Sequence, residues 1–82
     1  MSSADIAVKT FSHLEPEDFR VLVVIELDMS RHRYVPENDI SRLCGLPLKQ
    51  VKYRLDRLSK FRLVHRWVGP YVGYVLNRAG YD

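Results

Sequence analysis

The sequence has a single cysteine, Cys44, in 82 residues. A lone thiol excludes an internal disulfide and any cysteine-rich zinc site, and a reducing, intracellular compartment is the expectation that follows. No run of about 18 apolar residues occurs, the length a membrane-crossing helix needs. The longest apolar stretch, Val21-Leu22-Val23-Val24-Ile25, stops at Glu26. Met1 to Thr10 lacks the basic-then-apolar order of a secretory signal, with Asp5 where the apolar region would lie. The four glycines form no phosphate-cradling loop. Two fragments that touch on kinase motifs, Asp18-Phe19-Arg20 and His65-Arg66-Trp67, lack the glycine or aspartate that phosphoryl transfer needs. His13, His32 and His65 have no mutual ligand spacing, so no metal, no cofactor and no catalytic residue is expected in this chain. Internal repeats and low-complexity tracts are also missing.

What is present is the composition of an ordinary globular domain, with 46% apolar and 28% charged residues. A chain of this length has room for one core only. The net charge of +3 conceals an asymmetry. Residues 1–28 sum to −4 and residues 29–48 to +1, whereas residues 49–66 reach +6, with seven basic side chains against Asp56 alone. A local excess of that size points to a polyanion-facing element; a solvated helix face is the plainer alternative.

Residues 1–13 read as a lead-in and residues 14–82 as the domain. Glu15-Pro16-Glu17-Asp18 has proline and acidic residues where a helix starts. Phe19, Leu22, Ile25 and Met29 then follow helical spacing to about Ser30. Tyr34-Val35-Pro36 is extended, because the residue before proline avoids helical angles. A second helix runs from Pro36 to Cys44, stopped by Gly45 in the left-handed position. A third begins at Leu46-Pro47, with Leu48, Val51, Leu55 and Leu58 on one stripe. From Leu63 the period changes to that of a hairpin, 63–68 and 73–76 around Gly69-Pro70-Tyr71-Val72. Helix, short helix, tight glycine turn, basic helix and hairpin is the order of an α+β winged helix-turn-helix: three helices plus a C-terminal β-hairpin wing. The expected core is Phe19, Leu22, Ile25, Leu43, Val51, Leu55, Leu58 and Leu76. Cys44 is expected as a small core residue, and His65 and Trp67 share a strand face where packing is the simpler role.

The third helix occupies the slot of the recognition helix. On a wheel, its side away from the stripe carries Lys49, Gln50, Tyr53, Arg57 and Lys60, flanked by Lys52 and Arg54, with Arg66 following in the first strand. Lysine and arginine neutralise phosphate, glutamine reads adenine, arginine forks onto guanine, and tyrosine stacks on an unpaired base. Tyr53 has a second reading, a ring lying along its own helix. The wing carries no charge at its tip, so a minor-groove contact there is not expected.

Three blocks resemble the N-terminal domain of the Rio-two subfamily of RIO-type atypical serine/threonine kinases. They are Pro16-Glu17-Asp18-Phe19-Arg20-Val21-Leu22 with Ile25-Glu26; Val35-Pro36 with Ile40 and Gly45-Leu46; and Gly73-Tyr74-Val75-Leu76 with Gly80-Tyr81-Asp82. The resemblance covers about residues 14–82, and Leu63-Val64-His65 adds to it. It implies a winged helix joined in cis to a kinase domain beyond residue 82, with ATP and magnesium belonging to that domain alone. It also implies a cytoplasmic role in maturation of the small ribosomal subunit, with RNA or DNA as partner and no membrane. The chain departs from the family at Lys49-Gln50, where a glycine pair is usual, and at Asp56-Arg57, where the order of charges is reversed. The contact residues therefore come from the wheel and not from the resemblance. A free-standing winged-helix DNA-binding transcription regulator is the alternative, and a protein-binding winged helix a third.

Overall fold

A computed structural model describes residues 13–77. The lead-in up to residue 12 and the Gly80-Tyr81-Asp82 block lie outside the described residues. The element order is α1 (Pro16–Asp28), β1 (Val35–Pro36), α2 (Glu37–Cys44), α3 (Leu48–Lys60), β2 (Val64–Val68) and β3 (Val72–Leu76). Three helices pack against one face of an antiparallel sheet ordered β1-β3-β2, which is the winged helix-turn-helix expected from the sequence. The extended Tyr34-Val35-Pro36 segment becomes a third strand, with Val35 opposite Tyr74 and Pro36 opposite Gly73. Val72, read as part of the turn, belongs to β3 and faces Val68.

Helix α1 starts where the proline and the acids indicated. Pro16 occupies the first turn, and the Glu15 backbone N–H donates to Asp18 Oδ2 at 2.8 Å, satisfying a donor that the helix leaves free. The face it buries includes the expected Leu22 and Ile25, with Met29 packed at its margin, but not Phe19. Val21, Leu22, Val24 and Ile25 go into the core together with Asp18 and Asp28, whereas Phe19 is 43% exposed. The run Val21–Ile25 is apolar all round the helix, so it cannot choose a face by itself. Asp18 helps make the choice, because its basic partners Arg54 and Arg57 lie across the interior on the third helix, while Asp28 pairs locally with His32. Phe19, Val23 and Leu27 are thereby turned outward.

Helix α2 buries Ile40 and Cys44, one turn apart, and leaves Leu43 47% exposed. An eight-residue helix has a narrow inner face, and Leu43 falls beside it. Gly45 ends the helix with φ of 74°, and its N–H donates to the Ser41 carbonyl at 3.0 Å. The Ser41 hydroxyl donates onward to the Leu46 carbonyl at 2.6 Å, fixing the turn into α3. A Cβ at Gly45 would meet nothing within 4 Å, so only the left-handed backbone opposes a side chain there. Gly45→Ala should therefore cost about 1 kcal/mol in urea unfolding, with a smaller loss for Gly45→Asn.

Helix α3 buries Val51, Leu55 and Leu58 completely, as its stripe required. The core is completed by Val35, Leu63, Val64 and Tyr74, none of them in the expected set. Leu76 is half-buried and packs on the margin of this cluster. The helices cover one face of the hairpin, which brings α3 and the wing to the same side of the molecule.

Candidate nucleic-acid interface

The eight residues expected to contact nucleic acid separate into two groups. Lys49, Gln50, Lys52, Tyr53 and Lys60 stand exposed along α3, and Arg66 stands exposed on β2. Arg54 and Arg57 turn inward. Arg54 Nη1 donates to Glu15 Oε1 at 2.7 Å and to Asp18 Oδ1 at 3.4 Å, and its Nη2 lies 3.9 Å from Glu17. Arg57 Nη2 donates to the His13 carbonyl at 3.1 Å and lies 3.5 Å from Asp18 Oδ2. The side chain of Asp18 is 0% exposed and that of Arg54 is 10% exposed. The hydrogen bond to Glu15, with the Asp18 charge behind it, holds the Arg54 guanidinium above its usual range despite burial. The wheel put Arg57 on the outer face and Arg54 on its flank. Both side chains are long enough to bend toward the acidic start of α1, so two of the seven cations of segment 49–66 are neutralised within the fold.

Lys49 and Arg66 have no carboxylate partner among the described residues. Lys60 pairs with Asp56 one turn back at 3.1 Å, both side chains being about two-thirds or more exposed. Such a pair is worth little and yields readily to a phosphate. Lys52 lies 3.9 Å from Glu37 at the rim of a shallow recess of about 360 Å³, lined by Glu37, Lys52, Asp56, Ser59, Arg66 and Tyr74. The recess brings Lys52 and Arg66 together across the junction of helix and wing. At its floor the Tyr74 hydroxyl donates to Glu37 at 3.2 Å. Burial, with the Glu37 carboxylate beside it, pushes the Tyr74 phenol up to about 12.

The Tyr53 ring lies along its own helix. The guanidinium carbons of Arg54 and Arg57 lie 5.6 and 5.8 Å from its ring centre, yet 56% of the residue remains exposed. Helix α3 also differs at its start: α1 and α2 carry acids in their first turns, whereas α3 carries none and has Lys49 there. Its positive dipole end is left available to an anion.

A family profile described as "Rio2, N-terminal" matches residues 11–82. The chain belongs to the Rio2 N-terminal family. The serine/threonine-protein kinase rio2 of Dictyostelium discoideum is 35% identical over 74 residues, covering 90% of this chain and 14% of that protein. The RIO-type serine/threonine-protein kinase Rio2 of Methanocaldococcus jannaschii is 43% identical over 54 residues, 66% of this chain and 19% of that one. The rio2 kinase of Schizosaccharomyces pombe is 30% identical over 79 residues, 95% and 23% respectively. The chain thus spans less than a quarter of the length of these curated relatives. Among solved structures, RV1404 from Mycobacterium tuberculosis superposes with a TM-score of 0.72 at 23% identity, over 98% of this chain and 54% of that one. MepR of S. aureus bound to ethidium bromide gives 0.69 at 17% identity, over 95% and 61%. These two likenesses concern the fold alone. The Rio2 N-terminal domain is therefore a winged helix whose sequence relatives are kinases.

The sequence reading missed several exposed cations. Arg31 and His32 were expected to close the first helix with favourable charge, but the helix ends at Asp28 and both lie beyond it, as does Arg33. Arg62 is exposed with φ of 61°, in the turn between α3 and the wing. Glycine is the usual residue in such a turn, so its absence at 62 hid the turn.

Proposed function

We propose that this domain is the nucleic-acid-binding module of a RIO-type serine/threonine kinase acting in the cytoplasm on the maturing small ribosomal subunit, with ribosomal RNA as its target. Kinase activity, and the ATP and magnesium it uses, would reside in sequence outside these 82 residues. The observation that carries this reading is the exposed row Lys49, Gln50, Lys52, Tyr53 and Lys60 on the helix that follows the glycine turn. Arg66 extends the row onto the wing, whereas Arg54 and Arg57 are directed inward to Asp18. Long cations that leave an uncharged wing tip bare suit a phosphate backbone more than a base sequence, so binding should be weak and salt-sensitive, about 10⁻⁴ to 10⁻⁶ M at physiological salt.

The test is a salt titration of affinity for single-stranded RNA and for duplex DNA. Each phosphate contact contributes a log–log slope of about −0.7 on a single strand and about −0.9 on a duplex. Lys49→Ala should remove about one such increment. Tyr53→Ala should cost about 1–3 kcal/mol on single-stranded RNA if a base stacks there, with little effect on duplex DNA. Equal losses on both would favour a duplex-binding regulator. An unchanged affinity and slope in the triple variant Lys49→Ala, Lys52→Ala, Lys60→Ala would remove α3 as the contact surface.

A further inference from the structure

The side of the sheet turned away from the helices carries an organised group of rings. In the β2–β3 register Trp67 is opposite Gly73 and His65 opposite Val75. Side chains alternate along a strand, so these four share one face while Val64, Arg66, Tyr74 and Leu76 take the helix side. Tyr34, just before β1, approaches from the other edge of the central strand. The Tyr34 and Trp67 rings stack with centres 4.5 Å apart and 4° between their planes. Tyr34 and Tyr71 close over Gly73, where a Cβ would come within 2.6 Å of Tyr34 Cβ and 3.0 Å of a Tyr71 ring carbon. The indole also lies across Gly69, whose Cβ would sit 2.3 Å from two of its ring carbons. Tyr71 closes edge-on to Trp67 at 5.2 Å, and its hydroxyl donates to the Tyr34 carbonyl at 2.9 Å. Two glycines, a stack and a hydrogen bond thus fix three rings on the solvent side of a small domain.

A cation lies beside them. The Arg33 guanidinium lies 5.8 Å from the Tyr34 ring centre, and Arg31, Arg33 and His65 are exposed. The nearby carboxylates are engaged elsewhere: Asp28 and Asp39 with His32, and Glu37 with Lys52 and Tyr74. Among the described residues no carboxylate contacts Tyr34, Trp67, Tyr71 or Arg33. Pre-ordered rings lose little freedom when something stacks on them, and Arg33 beside Tyr34 suits phosphate.

We propose that this aromatic face is a second contact surface, for unpaired nucleotides of single-stranded RNA. Bases lie against the Tyr34–Trp67–Tyr71 group and the backbone runs past Arg33. A duplex, whose base faces are stacked internally, gains nothing from it. The proposal rests on the reading that the domain binds RNA, but it places the strand on a different face from α3.

Trp67 is the only tryptophan in the sequence, so its emission reports on this face alone. The intact chain would be titrated with a fluorescently labelled ten-nucleotide oligouridine and with an RNA duplex of the same length. Anisotropy follows binding anywhere, and tryptophan emission follows occupancy of the sheet face. With oligouridine, Trp67 emission should change saturably with the same midpoint as the anisotropy, and the duplex should leave it unaltered. Tyr71→Ala should weaken oligouridine binding about tenfold. Because that variant also loosens the ring group, Arg33→Gln provides the independent check: it leaves the rings packed and should reduce the salt slope by about 0.7. Lys49→Ala should weaken binding while preserving the amplitude of the Trp67 signal. A rise in anisotropy with unchanged Trp67 emission would overturn the proposal and leave the α3 reading standing. Absence of binding in either signal would overturn both. An equal Trp67 response to the duplex, or a response to a proline-rich peptide but not to RNA, would also overturn it.

Discussion

Arg54→Met should destabilise the domain by about 3 kcal/mol, the cost of breaking a buried ion pair by removing one partner. The cause is what remains: Asp18, fully buried, keeps only the Glu15 N–H and the more distant Arg57 guanidinium at 3.5 Å. Methionine nearly fills the volume, so lost packing contributes little. Asp18→Asn should cost less, since Arg54 retains Glu15 and Glu17 at the surface. The double variant should lose clearly less than the two single losses together, because an apolar side chain beside a neutral amide leaves no stranded charge. It also removes an Arg54 Nε–H that has no partner among the described residues. Urea unfolding of the four proteins measures the coupling. Strict additivity would mean that the pair contributes nothing beyond its separate side chains.

Leu55→Ala should cost about 2–5 kcal/mol. Leu55 is completely buried between Val51 and Leu58 on the inner face of α3, where the helix meets both α1 and the sheet. The cavity would open at the centre of the hydrophobic core, and the helices around it have little freedom to collapse into it. Thermal and chemical unfolding should agree, and a loss below about 1 kcal/mol would contradict complete burial. The exposed Leu43→Ala and Leu27→Ala changes provide the contrast, with losses within about 0.5 kcal/mol.

The fold was legible because its punctuation is explicit. Pro16, the Gly45 turn and the change of period at Leu63 mark the elements, and Val51, Leu55 and Leu58 leave one possible face for α3. On helix α1, Leu22 and Ile25 were placed correctly and Phe19 was not, because five consecutive apolar residues carry no phase; Asp18 helps set it, as a buried polar group whose partner Arg54 lies far along the chain. The same separation hid the fate of Arg54, which binds Glu15 and Asp18 from 39 and 36 residues away. A helical wheel sees one helix, so it assigns every charge opposite the stripe to solvent. The strand at Val35–Pro36 was too short to announce itself. On the wing, Trp67 was read as packing, and its neighbours were missed because glycine spacing shows where a ring has room but not which ring fills it.

The sheet order has a consequence for self-association. Open strand edges invite pairing with other chains, and this three-stranded sheet has two of them. On one side the edge is only two residues long and ends in Pro36, which has no N–H to offer a newcomer, so pairing stops there. On the other side β2 presents Val64–Val68 without a neighbouring strand among the described residues, protected by the Arg66 charge and by Pro70 just past its end. Among the described residues, whatever tendency the sheet has to add a strand is thus confined to one edge, and a single uncharged substitution at Arg66 would remove the one full charge that guards it.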